Sequence, residues 1–154
     1  MTDSQDSRWM AEALKDAERA ASMGEVPVGA VIVMDGSIVG RGYNLRETKN
    51  DPTAHAEIVA IRDASQRLGR WRLSQCTLYV TLEPCPMCAG AIVNSRLDRI
   101  VYGASDPRAG AARSVYQLCD DPKLNHRAEV TSGVNIEVCS EILSSFFASR
   151  RAEK

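Results

Sequence analysis

The sequence predicts an α/β domain of three layers, in which helices cover both faces of a mixed sheet. Two observations predict this fold class. Two β-rich segments flank Asp35-Gly36, which indicates a tight antiparallel hairpin. After the hairpin, strands and helices alternate along the chain, as they do when a sheet is covered on both sides. The length of 154 residues is that of one ordinary domain, so we expect a single domain over residues 1–154.

The first half of the chain contains the opening helix, the hairpin and a second helix. Apolar residues recur at helical spacing before Gly24 and again before Gly69, and a glycine is a common helix stop. A polar loop separates the hairpin from the second helix. The predicted bounds are about 6–23 for the first helix, Val28–Met34 and Ser37–Tyr43 for the strands, 44–53 for the loop and about 54–68 for the second helix.

The second half alternates between strands and helices around one long loop. Pro84 ends a β-rich strand, and Pro86 suits the first turn of the helix that follows. The loop has little regular periodicity, and a loop of this length is usually functional or disordered. The predicted bounds are Cys76–Leu82 and Asp98–Gly103 for the strands, 86–93 for the helix between them, Ala104–Asn125 for the loop and Ile136–Arg150 for a closing amphipathic helix.

Composition predicts a soluble protein without indicating its partner. A net charge of −1 and a pI near 6.1 give no general attraction to nucleic acid. No apolar run is long enough to span a membrane, and the start of the chain lacks the basic and apolar parts of a signal peptide. Five cysteines form an odd count, which fits a reducing compartment. We therefore expect a cytoplasmic protein with no membrane partner.

Four residues carry the candidate chemistry: His55 and Glu57 at the start of the second helix, and Cys85 and Cys88 at the start of the third. A CxxC pair at a helix N-terminus gains from the positive end of the helix dipole, which lowers the pKa of thiols. That arrangement suits zinc binding or redox chemistry. A closed structural zinc site needs four ligands, and the sequence has no second CxxC and no HxxxH. A thioredoxin-like redox protein remains the alternative from another functional class.

The number of ligands favours a catalytic zinc site. One imidazole and two thiolates make three protein ligands and leave the fourth tetrahedral position open. Glu57 follows His55 by two residues, an offset that turns a helical side chain by roughly 200°. Glu57 is therefore expected to transfer protons rather than to bind the metal. The same spacing excludes the HExxH pattern of zinc proteases.

His55-Ala56-Glu57 followed by Pro84-Cys85 and Cys88 resembles the signature of zinc nucleobase deaminases. Over nearly the whole chain the sequence is similar to bacterial tRNA adenosine deaminases of the cytidine deaminase-like superfamily. The resemblance implies a cytidine deaminase-like fold with a five-stranded sheet and one Zn²⁺ per subunit. It also implies hydrolytic conversion of adenosine to inosine at the wobble position. The segments that carry it are 25–30, Asn44, 51–57, 77–85, 87–90, 110–112, 125–127 and Phe146-Phe147 with Arg150-Arg151.

The resemblance also implies which residues contact substrate. Asn44 is expected to hydrogen-bond the adenine edge, and Val28 and Leu82 to form pocket walls. The partners expected are a tRNA anticodon stem-loop, whose unstacked bases can enter a pocket singly, and a second copy of the chain in a homodimer. A guanine or nucleoside deaminase is the alternative with the same zinc chemistry. The full set of implied substrate-binding residues is Asn44, Val28, Leu82, Ala56, Asp106, Phe147, Arg150 and Arg151.

Two stretches depart from the family pattern and leave fine substrate contacts open. Pro107-Arg108-Ala109 follows Asp106 where a lysine or glycine is common, and Arg113 stands where a small residue is usual. His126 is interpreted as a histidine that orders the loop or contacts backbone. The remaining cysteines are interpreted as small buried hydrophobic residues; they are Cys76, Cys119 and Cys139.

Overall fold

The computed structural model describes residues 4–153, so the ends of the predicted domain, residues 1–3 and 154, lie outside it. Within the described residues, four helices and five strands follow the predicted order. They are α1 (Ser4–Ser22), β1 (Gly29–Met34), β2 (Ser37–Tyr43), α2 (Ala56–Leu68), β3 (Thr77–Leu82), α3 (Pro86–Asn94), β4 (Arg99–Ala104), β5 (Glu129–Thr131) and α4 (Ile136–Ala152).

The five strands form one mixed sheet in the order β2-β1-β3-β4-β5. β1 pairs antiparallel with β2 and with β3, whereas β4 lies parallel to β3 and β5. The predicted hairpin turn is present, with φ of 51° at Asp35 and 74° at Gly36. Positive φ at both central residues is the conformation that an Asp-Gly pair favours in a two-residue hairpin.

Alternation along the central strands builds two separate hydrophobic cores. Ala30 and Ile32 of β1 pack in one core with α2 and α3. Val31 and Val33 face the other way and pack with α1 and α4. Successive strand residues point to opposite faces, so a strand buried on both faces must be apolar at every position. The predicted three-layer α/β/α fold with a mixed five-stranded sheet is confirmed.

Most bounds agree with the prediction within one or two residues, and two features differ from it in a way that bears on the fold or the site. β5 was not located because it has three residues, half-buried or exposed, and forms only through its pairing with β4. The second helix begins at Ala56, so the prediction that His55 lies in its first turn was wrong. His55 is the N-cap, with extended φ and ψ of −74° and 156°. A residue in that conformation ends the preceding loop and is not turned with the helix.

The segment between β4 and β5 is well packed, although the structure describes no helix or strand for residues 105–128. Ala111, Ala112 and Cys119 from this segment are fully buried in the core that contains α2 and α3. The prediction of a long loop is confirmed, and its packing indicates a structural or functional role.

The approach of α2 to β2 is unusually close, and glycines allow it. A Cβ at Gly42 would lie 2.5 Å from the carbonyl oxygen of Ala56 and 2.6 Å from the amide nitrogen of Ala60. At Gly40 it would lie 2.7 Å from the Ala60 oxygen and 2.8 Å from the Ala64 Cβ. The first turn of α2 therefore rests directly on the β2 backbone. Over residues 4–153, none of the helices has the length and apolarity needed to cross a membrane.

Candidate active site

Two helix N-termini meet beside the end of β3 and bring the predicted ligands together. His55 is the N-cap of α2, and Cys85 is the N-cap of α3. Cys88 lies in the first turn of α3, which starts at Pro86. Proline is favoured at this position because its missing N–H has no intrahelical partner there. Both helices direct the positive ends of their dipoles at the cluster, which favours negative charge on the sulfurs.

The three side chains are spaced as a tetrahedral metal site requires. The Nδ1 atom of His55 lies 3.6 Å from the Cys85 sulfur and 3.5 Å from the Cys88 sulfur. Bond lengths of ~2.3 Å to sulfur and ~2.0–2.1 Å to nitrogen place these atoms about 3.6 Å apart around tetrahedral zinc. Among the described residues, these three form the group of side chains close enough to hold a metal ion. Donor chemistry and spacing both fit zinc.

The environment makes Cys85 the more acidic thiol. The hydrogen bond from Cys88 lowers the pKa of Cys85 to about 4, against burial, and His55 lowers it further. The hydrogen bond to Cys85 raises the pKa of Cys88, and burial adds to this effect. Cys85 is therefore a thiolate at neutral pH in the metal-free protein. A thiolate is the form that binds metal, and binding releases the second proton.

Glu57 lies near the three donors but outside the ligand group. Its side chain is buried, and burial raises the pKa of Glu57 to about 7. The hydrogen bond from its own backbone N–H lowers that pKa, and the charge of Cys85 raises it. A carboxyl group that exchanges its proton near neutral pH is suited to general acid–base chemistry. The Glu57 side chain also shares a hydrogen bond with Cys88, and its role as a proton carrier rather than a metal ligand stays a prediction.

The metal-ligand cluster opens into a cavity of about 210 Å³. The predicted substrate residues Val28, Asn44, Ala56, Leu82 and Asp106 all line it. Sequence reasoning missed four further lining residues. Val26 and Glu83 stood in quoted family segments and drew no role, Ala109 stood in the stretch that departs from the family pattern, and Arg46 carried no distinguishing pattern. The complete lining is Val26, Val28, Asn44, Arg46, His55, Ala56, Glu57, Leu82, Glu83, Cys85, Asp106 and Ala109.

Asn44 is held in place by its own side-chain amide. Its Nδ2 donates to the Val26 carbonyl at 3.2 Å, and its Oδ1 accepts from the Arg46 amide at 3.2 Å. An amide side chain has two N–H groups and two acceptor lone pairs. One donor and one acceptor site therefore remain for a ligand in the cavity, in a fixed orientation.

Glu25 fixes the loop that follows Asn44. Its buried carboxylate accepts hydrogen bonds from the amides of Glu47 at 3.1 Å and Thr48 at 2.6 Å. Burial alone would raise the pKa of Glu25, but Thr48 and Glu47 lower it below the ordinary value. The ionised form is therefore the one that holds the loop.

We expect Glu25→Gln to reduce the dependence of stability on acid pH. A carboxyl group with a lowered pKa in the folded protein stabilises the fold above its unfolded pKa, about 4.3. That stabilisation is lost as the pH falls through the lower folded pKa. At neutral pH the variant should lose roughly 1.5–3 kcal/mol of unfolding free energy, as expected for hydrogen bonds to a charged group. Urea unfolding of both proteins from pH 7 to pH 3 measures the loss of stability at neutral pH and its dependence on pH. If the unfolding free energies of the variant and the wild type fell in parallel with pH, Glu25 would not be the group responsible.

A groove next to the cavity carries part of the predicted RNA surface. Phe147 and Arg151 of α4 line it together with Arg108, and Val26, Leu82 and Asp106 border both the groove and the cavity. Phe147 is 44% exposed, while Phe146 is half-buried and meets it edge to face at 5.6 Å. The structure thus brings Phe147 and Arg151 to the mouth of the cavity.

Arg150 lies elsewhere. Its guanidinium donates to the carbonyl of Gly24 and stacks over the Phe146 ring at 4.8 Å. It is absent from the described lining of the groove. The structure places it against the turn after α1, where it ties α4 to that turn.

Of the residues that depart from the family pattern, Ala109 lines the cavity and Arg113 does not. Asp106 Oδ1 accepts from the amides of Arg108 and Ala109 and holds the turn that begins at Pro107. The Arg113 side chain pairs with Asp120 at 3.0 Å and does not line the cavity.

The structure agrees with the interpretation of His126 as a residue that contacts backbone and of the other three cysteines as small buried residues. The Nε2 atom of His126 lies 2.7 Å from the Leu97 carbonyl oxygen, a contact with backbone. The three cysteines outside the ligand cluster are fully buried and free, as predicted.

A family comparison identifies the class of protein to which the chain belongs. The model of the MafB19-like deaminase family matches residues 4–151. The chain belongs to the MafB19-like deaminase family. Membership in a deaminase family favours a deaminase over a thioredoxin-like redox protein.

Relatives of this deaminase confirm the predicted resemblance. A tRNA-specific adenosine deaminase from Bacillus subtilis is 51% identical over 97% of this chain and 93% of its own length. One from Haemophilus influenzae is 53% identical over 97% of this chain and 87% of its own length.

Solved structures give the same family context. A structure from studies of A-to-I editing by tRNA:A34 deaminases has a TM-score of 0.85 and 46% identity, covering 88% of this chain and 99% of that one. Guanine deaminase from Bacillus subtilis has a TM-score of 0.62 and 42% identity, covering 68% of this chain and 66% of that one.

Proposed function

We propose that this deaminase converts adenosine to inosine at the wobble position of tRNA anticodons and depends on one zinc ion per chain. The observation that carries the proposal is the cavity itself. It adjoins a cluster of three metal donors, which would leave one position of a tetrahedral zinc ion open, and it is lined by the buried carboxyl group of Glu57. The high identity to tRNA-specific adenosine deaminases over nearly the full chain supports the substrate.

His55, Cys85 and Cys88 would hold the zinc ion. When bound, zinc would lower the pKa of a water molecule in the cavity and so supply a nucleophile near neutral pH. The reaction consumes water, and its oxygen replaces the amino group on the purine ring while ammonia leaves.

Glu57 would carry the protons of this exchange. It would take one proton from water and deliver it to a ring nitrogen. It would then take the remaining proton of the added hydroxyl and pass it to the amine, which leaves as ammonia. Val28 and Leu82 would form apolar walls for the purine. The remaining donor and acceptor of Asn44 would hydrogen-bond its edge. Ala56 and Asp106 would complete the lining.

The groove beside the cavity would bind the RNA around the reacting nucleotide. Phe147 offers an exposed ring for a base to stack on, and Arg151 and Arg108 offer positive charge for phosphates. Such local contacts are required because the net charge of −1 provides no general attraction to RNA.

A substrate comparison tests the proposed activity. Purified protein is incubated with an anticodon stem-loop RNA containing a wobble adenosine and, separately, with free guanine. We expect inosine in the RNA and no ammonia from guanine. Release of ammonia from guanine with unchanged RNA would instead support a guanine deaminase, which the similarity to that enzyme makes the second candidate.

We expect about one zinc per chain in natively purified protein, because three protein donors and one exchangeable position make a catalytic site. Elemental analysis measures the stoichiometry, and Cys88→Ser serves as the matched ligand variant with much reduced zinc. A metal-free protein in which Cys85 and Cys88 form a reversible disulfide would contradict the assignment.

We expect Arg151→Ala to weaken binding of the stem-loop and to reduce the salt dependence of its affinity. Each lost phosphate contact lowers the slope of log affinity against log salt by roughly 0.7–0.9. Fluorescence anisotropy across a salt titration measures both. Arg150→Ala is the matched control on the same helix turn: because its guanidinium binds Gly24, we expect a larger effect on thermal stability than on the salt slope. The reverse order would place Arg150, and not Arg151, on the RNA.

A homodimer and a cytoplasmic location complete the proposal, and both stay predictions from the family resemblance. Analytical ultracentrifugation at micromolar concentration tests the first, with a mass near twice 16.8 kDa expected. Cell fractionation tests the second.

A further inference from the structure

Two buried glutamates line the catalytic cavity, and their surroundings are different. Glu57 lies next to the metal ligands, whereas Glu83 lies at the end of β3, two residues before Cys85. Glu83 is 2% exposed, so its carboxylate is withdrawn from water. A buried carboxylate is costly unless hydrogen bonds replace its hydration.

The partners of Glu83 all come from one segment, residues 106–114. Its Oε1 accepts from the Asp106 amide at 3.0 Å and from the Ser114 hydroxyl. Its Oε2 accepts from three consecutive amides, those of Ala112 at 3.1 Å, Arg113 at 2.8 Å and Ser114 at 2.8 Å. A carboxylate has about four acceptor positions, so five donors leave none for a substrate or a proton.

The same segment is attached to the metal-binding strand end at other points. The Ala111 amide donates to the Pro84 carbonyl at 2.7 Å, and just before the segment the Ala104 carbonyl of β4 accepts from the Glu83 amide at 2.8 Å. Gly110 packs against the Glu83 carboxylate, and a Cβ there would collide with that carboxylate and come 2.6 Å from the Asp106 carbonyl. The segment therefore closes tightly around a single side chain.

This segment also forms one side of the cavity and of the groove. Asp106 and Ala109 line the cavity, and Asp106, Pro107 and Arg108 line the groove. We propose that Glu83 is a positioning residue that sets the substrate-binding wall of the cavity by holding residues 106–114 around its carboxylate. It takes no part in proton transfer, which belongs to Glu57. The inference rests on the proposed deaminase function and specifies how that site recognises its substrate.

Glu83→Gln tests the assignment. Wherever the amide NH₂ of glutamine points, it faces backbone N–H donors whose hydrogen bonds it cannot accept, so the segment must move. We expect kcat/KM for the stem-loop to fall on the order of 10–100-fold, as is typical when a supporting partner of a site is lost. Most of this fall in kcat/KM should come from a rise in KM, because the segment forms the wall that binds substrate while the zinc ligands and Glu57 stay in place. Zinc content should remain that of the wild type.

Gly110→Ala provides a second route to the same wall without changing any charge. It should reproduce the rise in KM, and the double variant should be little worse than either single variant because both disturb one unit. Hydrogen exchange should show faster exchange at the amides of residues 106 and 112–114 in both variants. This readout does not depend on the substrate.

Asp6→Asn is the matched control for loss of a buried carboxylate. Asp6 is 1% exposed and binds Arg99 and Tyr79 in the core on the α1 side of the sheet. It should destabilise the fold while leaving KM and kcat of the folded protein unchanged.

The outcomes separate the proposals. A wild-type protein that leaves the stem-loop unchanged would refute the proposed substrate, whereas the exchange data would still report on the wall. Wild-type KM in Glu83→Gln, a loss confined to kcat, loss of zinc, or an equal KM effect in Asp6→Asn would each overturn the role of Glu83.

Discussion

Glu57→Gln should bind zinc as fully as the wild type and lose nearly all deamination. Glutamine has the size of glutamate and can still form hydrogen bonds, but it cannot take up and release a proton. Loss of a general acid–base typically costs on the order of 10²–10⁴ in rate. Glu57 lies outside the ligand group, so the metal should stay. Zinc analysis together with inosine formation from the stem-loop measures both effects on one preparation.

A surface glutamate provides the matched control for this variant. Glu12 lies on α1, on the other side of the sheet, where it pairs with Lys15 and Arg41. Glu12→Gln removes the same charge and should retain the wild-type rate. Turnover close to wild type in zinc-loaded Glu57→Gln would remove Glu57 from the mechanism. Loss of zinc from that variant would show that the carboxylate supports the metal.

Local sequence determines the elements that the prediction located correctly. Asp35-Gly36 forms the hairpin turn because Asp-Gly is one of the few residue pairs that readily adopt positive φ at both central positions. The uninterrupted apolar sequence of β1 follows from burial on both faces. β5 was not predicted because a strand of three residues is too short to show periodicity. It also depends on pairing with β4, which lies about thirty residues earlier in the chain.

The metal site was predictable because ligand chemistry restricts both residue type and spacing. His55, Cys85 and Cys88 converge as expected, although His55 acts from an N-cap. A boundary error of one or two residues is common at helix ends. Here the error matters because His55 is the N-cap, so the offset of roughly 200° between two helical residues does not apply to His55 and Glu57. Glu57 nevertheless lies outside the group of three ligands.

Glu83 could not have been assigned from the sequence by pattern. Its partners are backbone amides and one hydroxyl of a distant loop, and amides are present at almost every residue. Only the folded path of residues 106–114 reveals which amides converge. The contact of Arg150 could not be predicted for a similar reason. Arg150 and Arg151 are adjacent on one helix and look equivalent in the sequence, and only the structure shows that Arg150 donates to the Gly24 carbonyl.

Gly42→Ala should destabilise the fold and weaken zinc binding, because the glycine allows the close approach of α2 to the sheet. The added Cβ would lie 2.5 Å from the Ala56 oxygen and 2.9 Å from the Val59 Cβ. Overpacking of this kind typically costs roughly 1–3 kcal/mol. Relief requires the first turn of α2 to move, and that turn carries Glu57 and follows His55. We expect a lower midpoint of thermal unfolding, substoichiometric zinc and a reduced rate.

Gly90→Ala separates this effect from the general consequences of replacing a glycine. Gly90 lies within α3, and a Cβ there would meet nothing within 4 Å. Alanine is more favourable than glycine in a helix by about 0.8–1.0 kcal/mol, so this variant should be as stable as the wild type or more so. If Gly42→Ala instead matched Gly90→Ala in unfolding midpoint and zinc content, α2 could move away from β2 without disturbing His55. The position of the ligands would then depend on the loop held by Glu25, and not on the contact between helix and strand.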